Sequence, residues 1–282
     1  MRSRLFVALA ALLGTVVAQR IHRHLDPQRR TLRCPRLDPD AQVITEGTIV
    51  AQFPYSKALI VGAGSGISAS LARRFAQHGV KVALAARSVD KLEALAAEIG
   101  AITFAADATD TPAVDALFKA VDARLGEPDV VVYNASARAH GPLAELDPKT
   151  VERAIATTAF GGFLVAQQAA RRMLAHGRGA ILFTGATASV KGFPRSAAFA
   201  MGKFALRGLA QSAARELGPS GIHVAHFVID GGVRSTRRPD PAERPDSTLD
   251  PDDIAQSYIS VLLQPRSAWS QEIELRPWVE PF

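Results

Sequence analysis

Short apolar runs alternate with amphipathic segments from Lys57 to the end of the chain. Runs of this length, bounded by turn residues, predict buried strands. We expect seven of them, at residues 58–61, 80–86, 101–106, 129–133, 179–184, 222–229 and 272–275. Strands that alternate with helices indicate a parallel sheet covered on both faces. The pattern therefore predicts one doubly wound α/β domain.

Helix ends are also visible in the sequence. Gly100 should end a helix over residues 88–99, because glycine readily closes a helix. Thr111, followed by proline, predicts a hydroxyl N-cap with proline at the first helical position. Asp147 and Asp250, each also followed by proline, predict capped helices that run to about His176 and Leu263. A further helix is expected over residues 196–217.

The first predicted strand leads directly into a glycine-rich turn and then a helix. Glycine lets the backbone approach a ligand closely, and a helix start offers free N–H groups and a positive dipole end that suit a pyrophosphate. The order strand, turn, helix favours a dinucleotide site over a purely structural turn. The predicted contacts are Gly62, Gly64, Ser65, Gly66 and Ile67.

Composition narrows the function classes. The chain has 282 residues, of which 48% are hydrophobic, enough for one sizeable core. Its formal charge of +6 is concentrated in residues 1–36, which hold eight arginines and one acid, whereas the rest is almost neutral. Nothing therefore favours nucleic acid as a partner. The single cysteine, Cys34, excludes an intrachain disulfide, and no cluster of residues predicts a metal site.

The first 25 residues form a basic leader around a 14-residue apolar run at 5–18. The run is short for a membrane-spanning helix. It resembles a secretory signal, an uncleaved membrane anchor or an organelle address, and a misassigned start is a further alternative. The protein is thus predicted to be membrane-anchored, or targeted to an organelle or for export, through this leader and its apolar residues 5–18. If the leader serves neither purpose, a cytoplasmic protein is the alternative. Residues 26–55 are predicted to be a linker or arm, and residues 56–282 the folded domain.

From about Lys57 onwards the chain resembles the short-chain dehydrogenase/reductase family. The turn at 61–68 follows the family's Thr-Gly-x-x-x-Gly-x-Gly, except that Ser68 replaces the last glycine. Asn134 and Ala135 match the motif after the fourth strand, whereas Tyr133 and Ser136 do not. Residues 230–235 resemble Pro-Gly-x-Val-x-Thr, with aspartate in place of proline. The resemblance implies a Rossmann fold that binds a nicotinamide dinucleotide.

The resemblance also implies positions for the cofactor. Arg87 ends the second strand, where an acid would favour NAD, so it predicts NADP, with NAD as the alternative. A solvated arginine is the plainer interpretation. The other implied contacts are Asp107 and Ala108 towards adenine, Asn134 and Ala135 near the ribose, and Gly231, Val233 and Ser235 (or Thr236) near the nicotinamide.

The same resemblance implies a depleted catalytic set. Phe199 stands in the place of the family's tyrosine, Ala186 in that of its serine and Thr158 in that of its asparagine. Lys203, which should hold the nicotinamide ribose, alone remains. Thr187 and Ser189 are candidate replacements as proton donors, although local turn bonding is the favoured interpretation of both hydroxyl groups.

Other polar residues of the loop after the fourth strand lie near the same region: Tyr133, Ser136, Arg138 and His140. Residues 237–250 correspond to the family's flap over the substrate. Two hypotheses follow. The protein is an NADP-binding oxidoreductase with weak or altered carbonyl/alcohol chemistry on an unknown small molecule, or a non-catalytic nucleotide-binding protein. The family's habit of pairing through its long helices implies a homodimer or tetramer.

Overall fold

A computed structural model describes residues 53–280. Its centre is a seven-stranded sheet with the strand order β3-β2-β1-β4-β5-β6-β7, in which all neighbouring strands are parallel. This confirms the predicted doubly wound α/β fold. The leader, Cys34 and most of the arm lie outside the described residues.

The strands are β1 (Lys57–Val61), β2 (Lys81–Ala86), β3 (Ile102–Ala105), β4 (Val130–Tyr133), β5 (Gly179–Thr184), β6 (Ile222–Ile229) and β7 (Glu272–Leu275). The α-helices are α1 (Ile67–Gln77), α2 (Glu93–Ile99), α3 (Thr111–Arg124), α4 (Pro148–Ile155), α5 (Gly161–His176), α6 (Ala197–Leu217) and α7 (Pro251–Leu262). All seven strands were predicted within one or two residues, because buried parallel strands are apolar on both faces.

Two apolar layers enclose the sheet. Helices α1, α2 and α7 pack on one face, around Phe75 and Tyr258. Helices α3, α5 and α6 pack on the other, around Phe118 and Leu206. Since every strand alternates its side chains between these layers, both faces of the central strands are removed from water. The layers hold the carboxyl ends of β1, β2, β4 and β5 in fixed positions at one edge.

Helix boundaries give one correction and one surprise. The N-cap of α3 is Asp110 rather than Thr111, so proline stands one position further into the first turn. The predicted caps Asp147 and Asp250 do accept backbone N–H bonds. The predicted long helix to His176 is interrupted by a π-helical turn at Ala156–Phe160, between α4 and α5. Such turns frequently mark functional sites.

Phe53 and Tyr55, which fall in the predicted arm, pack against the core. The ring centroid of Phe53 lies 4.7 Å from that of His78 and 5.9 Å from that of Tyr55. Burial raises the pKa of Tyr55 to about 12. Within residues 53–280, no helix is both long and apolar enough to cross a bilayer.

Candidate functional site

The glycine turn after β1 lies against the loop after β4. Gly62 has φ +86°, a left-handed conformation that favours glycine, and a Cβ at this position would collide with the backbone of Ala135. A Cβ on Gly64 or Gly66, by contrast, would meet no heavy atom within 4 Å. The first glycine therefore closes the turn, whereas the next two border open space.

The turn leaves its backbone donors available. Among the described residues, the amides of Gly64, Ser65 and Gly66 donate to no protein acceptor, and no side chain caps α1. Free N–H groups at a helix start suit an anionic ligand. The turn thus has the predicted features of a phosphate cradle.

The serine that replaces the family's last glycine is accommodated by hydrogen bonds. Ser68 is buried; its hydroxyl donates to the Gly62 carbonyl at 3.4 Å and accepts from the Asn134 side-chain amide at 2.6 Å. The substitution therefore adds a tie between α1 and the β4 loop.

A pocket beside this turn carries two cations. It is lined by Gly62, Arg87, Lys91, Asp107, Ala108, Asn134 and Ala135, among others. Lys91 lies four residues after Arg87, in the short turn that precedes α2. It was not among the contacts predicted from the sequence. Asp107 accepts bonds from the amide and hydroxyl of Thr109, and these bonds, with the charge of Arg87, lower the pKa of its carboxyl. Asp107 thus lines the pocket and forms the local turn at once.

Lys203 lies beside the carboxyl end of β5 and is almost fully buried. We call the carboxyl edge of the sheet, from the glycine turn after β1 to Lys203, the groove. The Lys203 ammonium donates to the Thr184 carbonyl at the end of β5, with an N···O distance of 2.6 Å. The Thr184 hydroxyl in turn bonds the Tyr258 hydroxyl at 2.8 Å. Burial, and then the charge of Arg138, lower the pKa of Lys203 to about 7. The surroundings therefore make this ammonium lose its proton more easily than an exposed lysine does.

Thr158 lies inside the π-helical turn. Its hydroxyl accepts from the Ala137 amide at 3.1 Å and contacts the Ala137 carbonyl at 3.4 Å. A Cβ on Gly202 would come within 2.8 Å of the Thr158 side chain. Thr158 therefore fastens the β4 loop to the turn and packs against α6, close to Lys203.

Phe199 fills the position that the resemblance gives to the tyrosine. Its ring is 8% exposed. The guanidinium carbon of Arg138 lies 4.0 Å from the ring centroid, and the ammonium of Lys203 lies 5.8 Å from it. Both distances are typical of cation–π contacts. At the position that the resemblance gives to a tyrosine hydroxyl, the structure thus has an aromatic ring in contact with two cations.

Ser189 belongs to a buried hydrogen-bond chain that the sequence did not suggest. Its hydroxyl accepts from the Ala186 amide at 3.1 Å and lies 3.3 Å from Nε2 of His226. His226 Nδ1 lies 3.2 Å from Glu272, which Arg207 binds through two contacts. Ser189 lies in the turn after β5 and Arg207 on α6, whereas the β6–β7 register places His226 opposite Glu272. Elements far apart in the sequence therefore have to pack together before this chain of bonds can form.

Burial lowers the pKa of His226 to about 4, although Glu272 opposes the shift. The neutral ring therefore donates from Nδ1 to the carboxylate and accepts at Nε2. Ser189 is fully buried, whereas Thr187 is half-buried. The geometry gives Ser189 a structural partner, and the role of either hydroxyl as a proton donor stays a prediction.

The remaining predicted residues lie either at and after the end of β4 or after the end of β6. Tyr133 is buried, and its hydroxyl donates to the Thr157 carbonyl, while burial raises its pKa. Ser136 and His140 are exposed. Near the end of β6, Val233 bridges to Leu249 and the Ser235 amide donates to the Arg238 carbonyl. Gly231 has φ +155° and faces Pro277. No group of three or more metal-binding side chains occurs among the described residues.

The groove opens between β1 and β4, where the strand order reverses. A ligand crevice outside the carboxyl ends of the strands at such a switch point is the organisation of doubly wound nucleotide-binding proteins. The chain belongs to the short chain dehydrogenase family, whose model matches residues 56–242.

Known proteins agree with this assignment. D-threitol dehydrogenase of Mycolicibacterium smegmatis is 33% identical over 172 residues, which are 59% of this chain and 66%, just under two thirds, of that relative. A short-chain dehydrogenase from Rhodopseudomonas palustris is 37% identical with a TM-score of 0.68, over 79% of this chain and 99% of that one. An alcohol dehydrogenase from Thermococcus sibiricus, complexed with 5-hydroxy-NADP, is 28% identical with a TM-score of 0.72, over 80% and 98%.

Proposed function

We propose that the protein binds NADP(H) along the groove at the carboxyl edge of the sheet. One observation carries the proposal: the Gly62 turn, with its free amides, lies beside a pocket that presents Arg87 and Lys91. Two cations favour a ribose phosphate over a bare hydroxyl. NAD is the alternative cofactor.

The residues present fit such a group. The backbone of Gly64, Ser65, Gly66 and Ile67 would hold the pyrophosphate, since Gly64 and Gly66 border open space and the amides of residues 64–66 are free of protein acceptors. Asp107 and Ala108 would line the adenine side. When bound, the nicotinamide supplies or accepts hydride. The Thermococcus sibiricus neighbour, which is complexed with an NADP derivative, supports this choice.

At the reaction end we propose weak or altered carbonyl/alcohol chemistry on a small molecule. Lys203 positions the ribose, and water or the half-buried Thr187 supplies the proton in place of a tyrosine. Loss of a general acid typically costs 10²–10⁴-fold in rate. The Arg138 guanidinium over Phe199 can stabilise a developing oxyanion but gives up no proton at ordinary pH.

A non-catalytic nucleotide-binding protein is the second candidate. The observation that favours it is the buried Ser189–His226–Glu272 chain, which commits Ser189 to structural partners. In that case cofactor binding would persist without turnover.

Fluorescence titration of the full chain with NADPH and NADH tests the binding proposal. Arg87→Asp should invert the NADPH/NADH affinity ratio, because a carboxylate repels a 2′-phosphate and accepts a 2′-hydroxyl. The matched control is Arg215→Asp, since Arg215 is exposed and bonds only its own helix through the Gln211 carbonyl. An unchanged ratio in Arg87→Asp would show the phosphate assignment to be wrong.

A screen of ketone, aldehyde and quinone reduction separates the two candidates. Turnover that disappears in Thr187→Ala but persists in Ser189→Ala would assign the proton to the half-buried hydroxyl. Tight NADPH binding without turnover on any substrate would favour the non-catalytic protein.

We also propose a homodimer or tetramer. Large apolar side chains are exposed on the short turn before α4, the π turn, α5 and α6: Leu143, Phe160, Phe163, Met201 and Phe204. An apolar surface of this kind typically marks an association site. Light scattering should give at least twice the 30.0 kDa chain mass, and Met201→Glu should reduce it. Membrane association through residues 5–18 stays a prediction.

A further inference from the structure

Positive side chains cluster around Phe199 at the reaction end of the groove. The guanidinium carbon of Arg138, from the loop after β4, lies 4.0 Å from the centroid of the Phe199 ring, and the Lys203 ammonium lies 5.8 Å from it. A third cation, Arg238, comes from the segment after β6. Its guanidinium rests on Gly232, where an added Cβ would lie 3.0 Å from its nitrogen.

These cations act on one another. Burial, and then the charge of Arg238, lower the pKa of Arg138. Arg138 in turn contributes to the lowered pKa of Lys203. Because like charges raise each other's free energy, a cluster of this kind is costly unless an anion joins it.

No carboxylate of the described chain fills that role. None of the ion pairs within residues 53–280 involves Arg138, Lys203 or Arg238. The acids of the neighbouring segment are engaged elsewhere: Asp240 and Asp250 both pair with Arg234. The cluster is therefore a set of donors without a protein counterion.

Stacking prepares Arg138 for recognition. A guanidinium that lies flat on an aromatic ring satisfies its face and leaves its N–H edges free in a fixed plane. Such an edge matches the two oxygens of a carboxylate or a phosphate. Arg138 is also exposed, so a ligand can reach it from the groove.

We propose that Arg138 and Arg238 bind an anionic group, a carboxylate or a phosphate, on the substrate of this protein, with Phe199 as the platform that holds the Arg138 guanidinium. The inference rests on the proposed function, since it places the substrate beside the nicotinamide end of the groove. It narrows the substrate class to organic acids or phosphate esters and separates them from neutral ketones and alcohols.

Calorimetric titration of the full chain tests this. Succinate and inorganic phosphate are the probes, at constant ionic strength, with and without saturating NADPH, and neutral succinamide is the matched control ligand. We expect both anions to bind the NADPH-saturated chain at one site and succinamide not to bind. Arg138→Gln and Arg238→Gln should each weaken anion binding about tenfold or more. Arg138→Lys should recover part of that loss, and Arg215→Gln should change nothing.

The outcomes separate this inference from the proposed function. Normal NADPH binding without anion binding would overturn the inference and leave the cofactor proposal standing. Anion binding that NADPH abolishes would also overturn it, because the cations would then serve the cofactor's own phosphates. Arg138-dependent anion binding in a chain that takes up no NADPH would support the anion site and overturn the cofactor proposal. Circular dichroism of each variant excludes unfolding as the cause of a loss.

Discussion

The two ends of the groove are built from different materials. At the glycine turn, the surface proposed to face the ligand is mostly backbone. It has free amides, and at position 62 there is room for glycine alone. At the reaction end the surface consists of side chains, with Arg138 and Lys203 both within cation–π range of Phe199. Both ends lie on the same rigid sheet edge.

This difference explains how one end could keep the family's pattern while the other end, as we propose, loses it. A backbone cradle depends on the fold and survives substitution of most neighbours, as Ser68 illustrates by bonding Asn134. Acid–base chemistry depends on single hydroxyl groups, which one substitution removes. A fold can therefore keep its ligand while its reaction changes.

The strongest way to break the comparison is Gly62→Ala. The added methyl group would strain a left-handed backbone and collide with the Ala135 backbone, so the β4 loop must move. We expect NADPH affinity to fall by at least about 100-fold and stability to fall by about 1–3 kcal/mol. Fluorescence titration and urea unfolding measure the two effects.

Two glycine variants serve as controls for that change. Gly64→Ala adds a methyl group towards open space, so it should weaken NADPH binding without lowering stability. Gly192→Ala, which also adds a methyl group to open space, should change neither. Equal NADPH affinity in Gly62→Ala and the unmodified chain would show that this turn does not hold the cofactor.

The second prediction restores the hydroxyl groups of the reaction end. The double variant Ala186→Ser, Phe199→Tyr should raise ketone reduction about 10²-fold, because a positioned general acid typically contributes 10²–10⁴-fold. Steady-state NADPH consumption measures the gain. Phe193→Tyr, at an exposed ring, is the matched control. Without any gain, missing hydroxyl groups would not be what limits the reaction.

The third prediction uses the pKa of about 7 that burial imposes on Lys203. Between that value and the ordinary value of 10.5, the unfolded chain binds more protons than the folded one. Stability from this residue is therefore present at high pH and is lost as the pH falls towards 7, by up to about 1.4 kcal/mol per pH unit. Lys203→Met should reduce the pH dependence of the free energy of unfolding, measured with urea between pH 7.5 and about 9.5.

Lys149→Met is the control for that experiment, since Lys149 is an exposed lysine of α4. If the free energy of unfolding of Lys203→Met changed with pH as it does in the unmodified chain, the fold would not lower the pKa of Lys203.

The smallest effect concerns His226, whose pKa burial lowers to about 4 from the ordinary 6.5. In that window the unfolded chain again binds more protons. The contribution of His226 is complete above pH 6.5 and declines as the pH falls towards 4. The free energy of unfolding of His226→Gln should therefore fall less than that of the unmodified chain as the pH drops from 6.5 to 4, as urea unfolding would measure. Exposed His140→Gln is the control, and an identical acid profile for His226→Gln would contradict the assignment.

The sequence revealed the parts of this protein that depend on local order. The limits of β5, β6 and β7 follow from apolar runs between turn residues, and the Asp147 and Asp250 caps follow from one carboxylate before proline. Thr111 was mistaken for a cap because aspartate and threonine, both good capping residues, are adjacent there.

The reaction end depended on long-range register, which a single sequence does not display. Ser189, His226 and Glu272 meet only because β5, β6 and β7 pair in one alignment. The π turn at Ala156–Phe160 differs from an α-helix by its backbone bonds alone. Arg138 reaches Phe199 across about 60 residues of chain, so no local pattern pointed to their contact.

The bond between Ser68 and Asn134 couples two positions that lie 66 residues apart in the chain. Replacing Ser68 by the glycine of the family pattern would remove the hydroxyl that accepts from the Asn134 side chain at 2.6 Å. A substitution at either position therefore changes the surroundings of the other, and their effects on stability should not add in a double-mutant cycle.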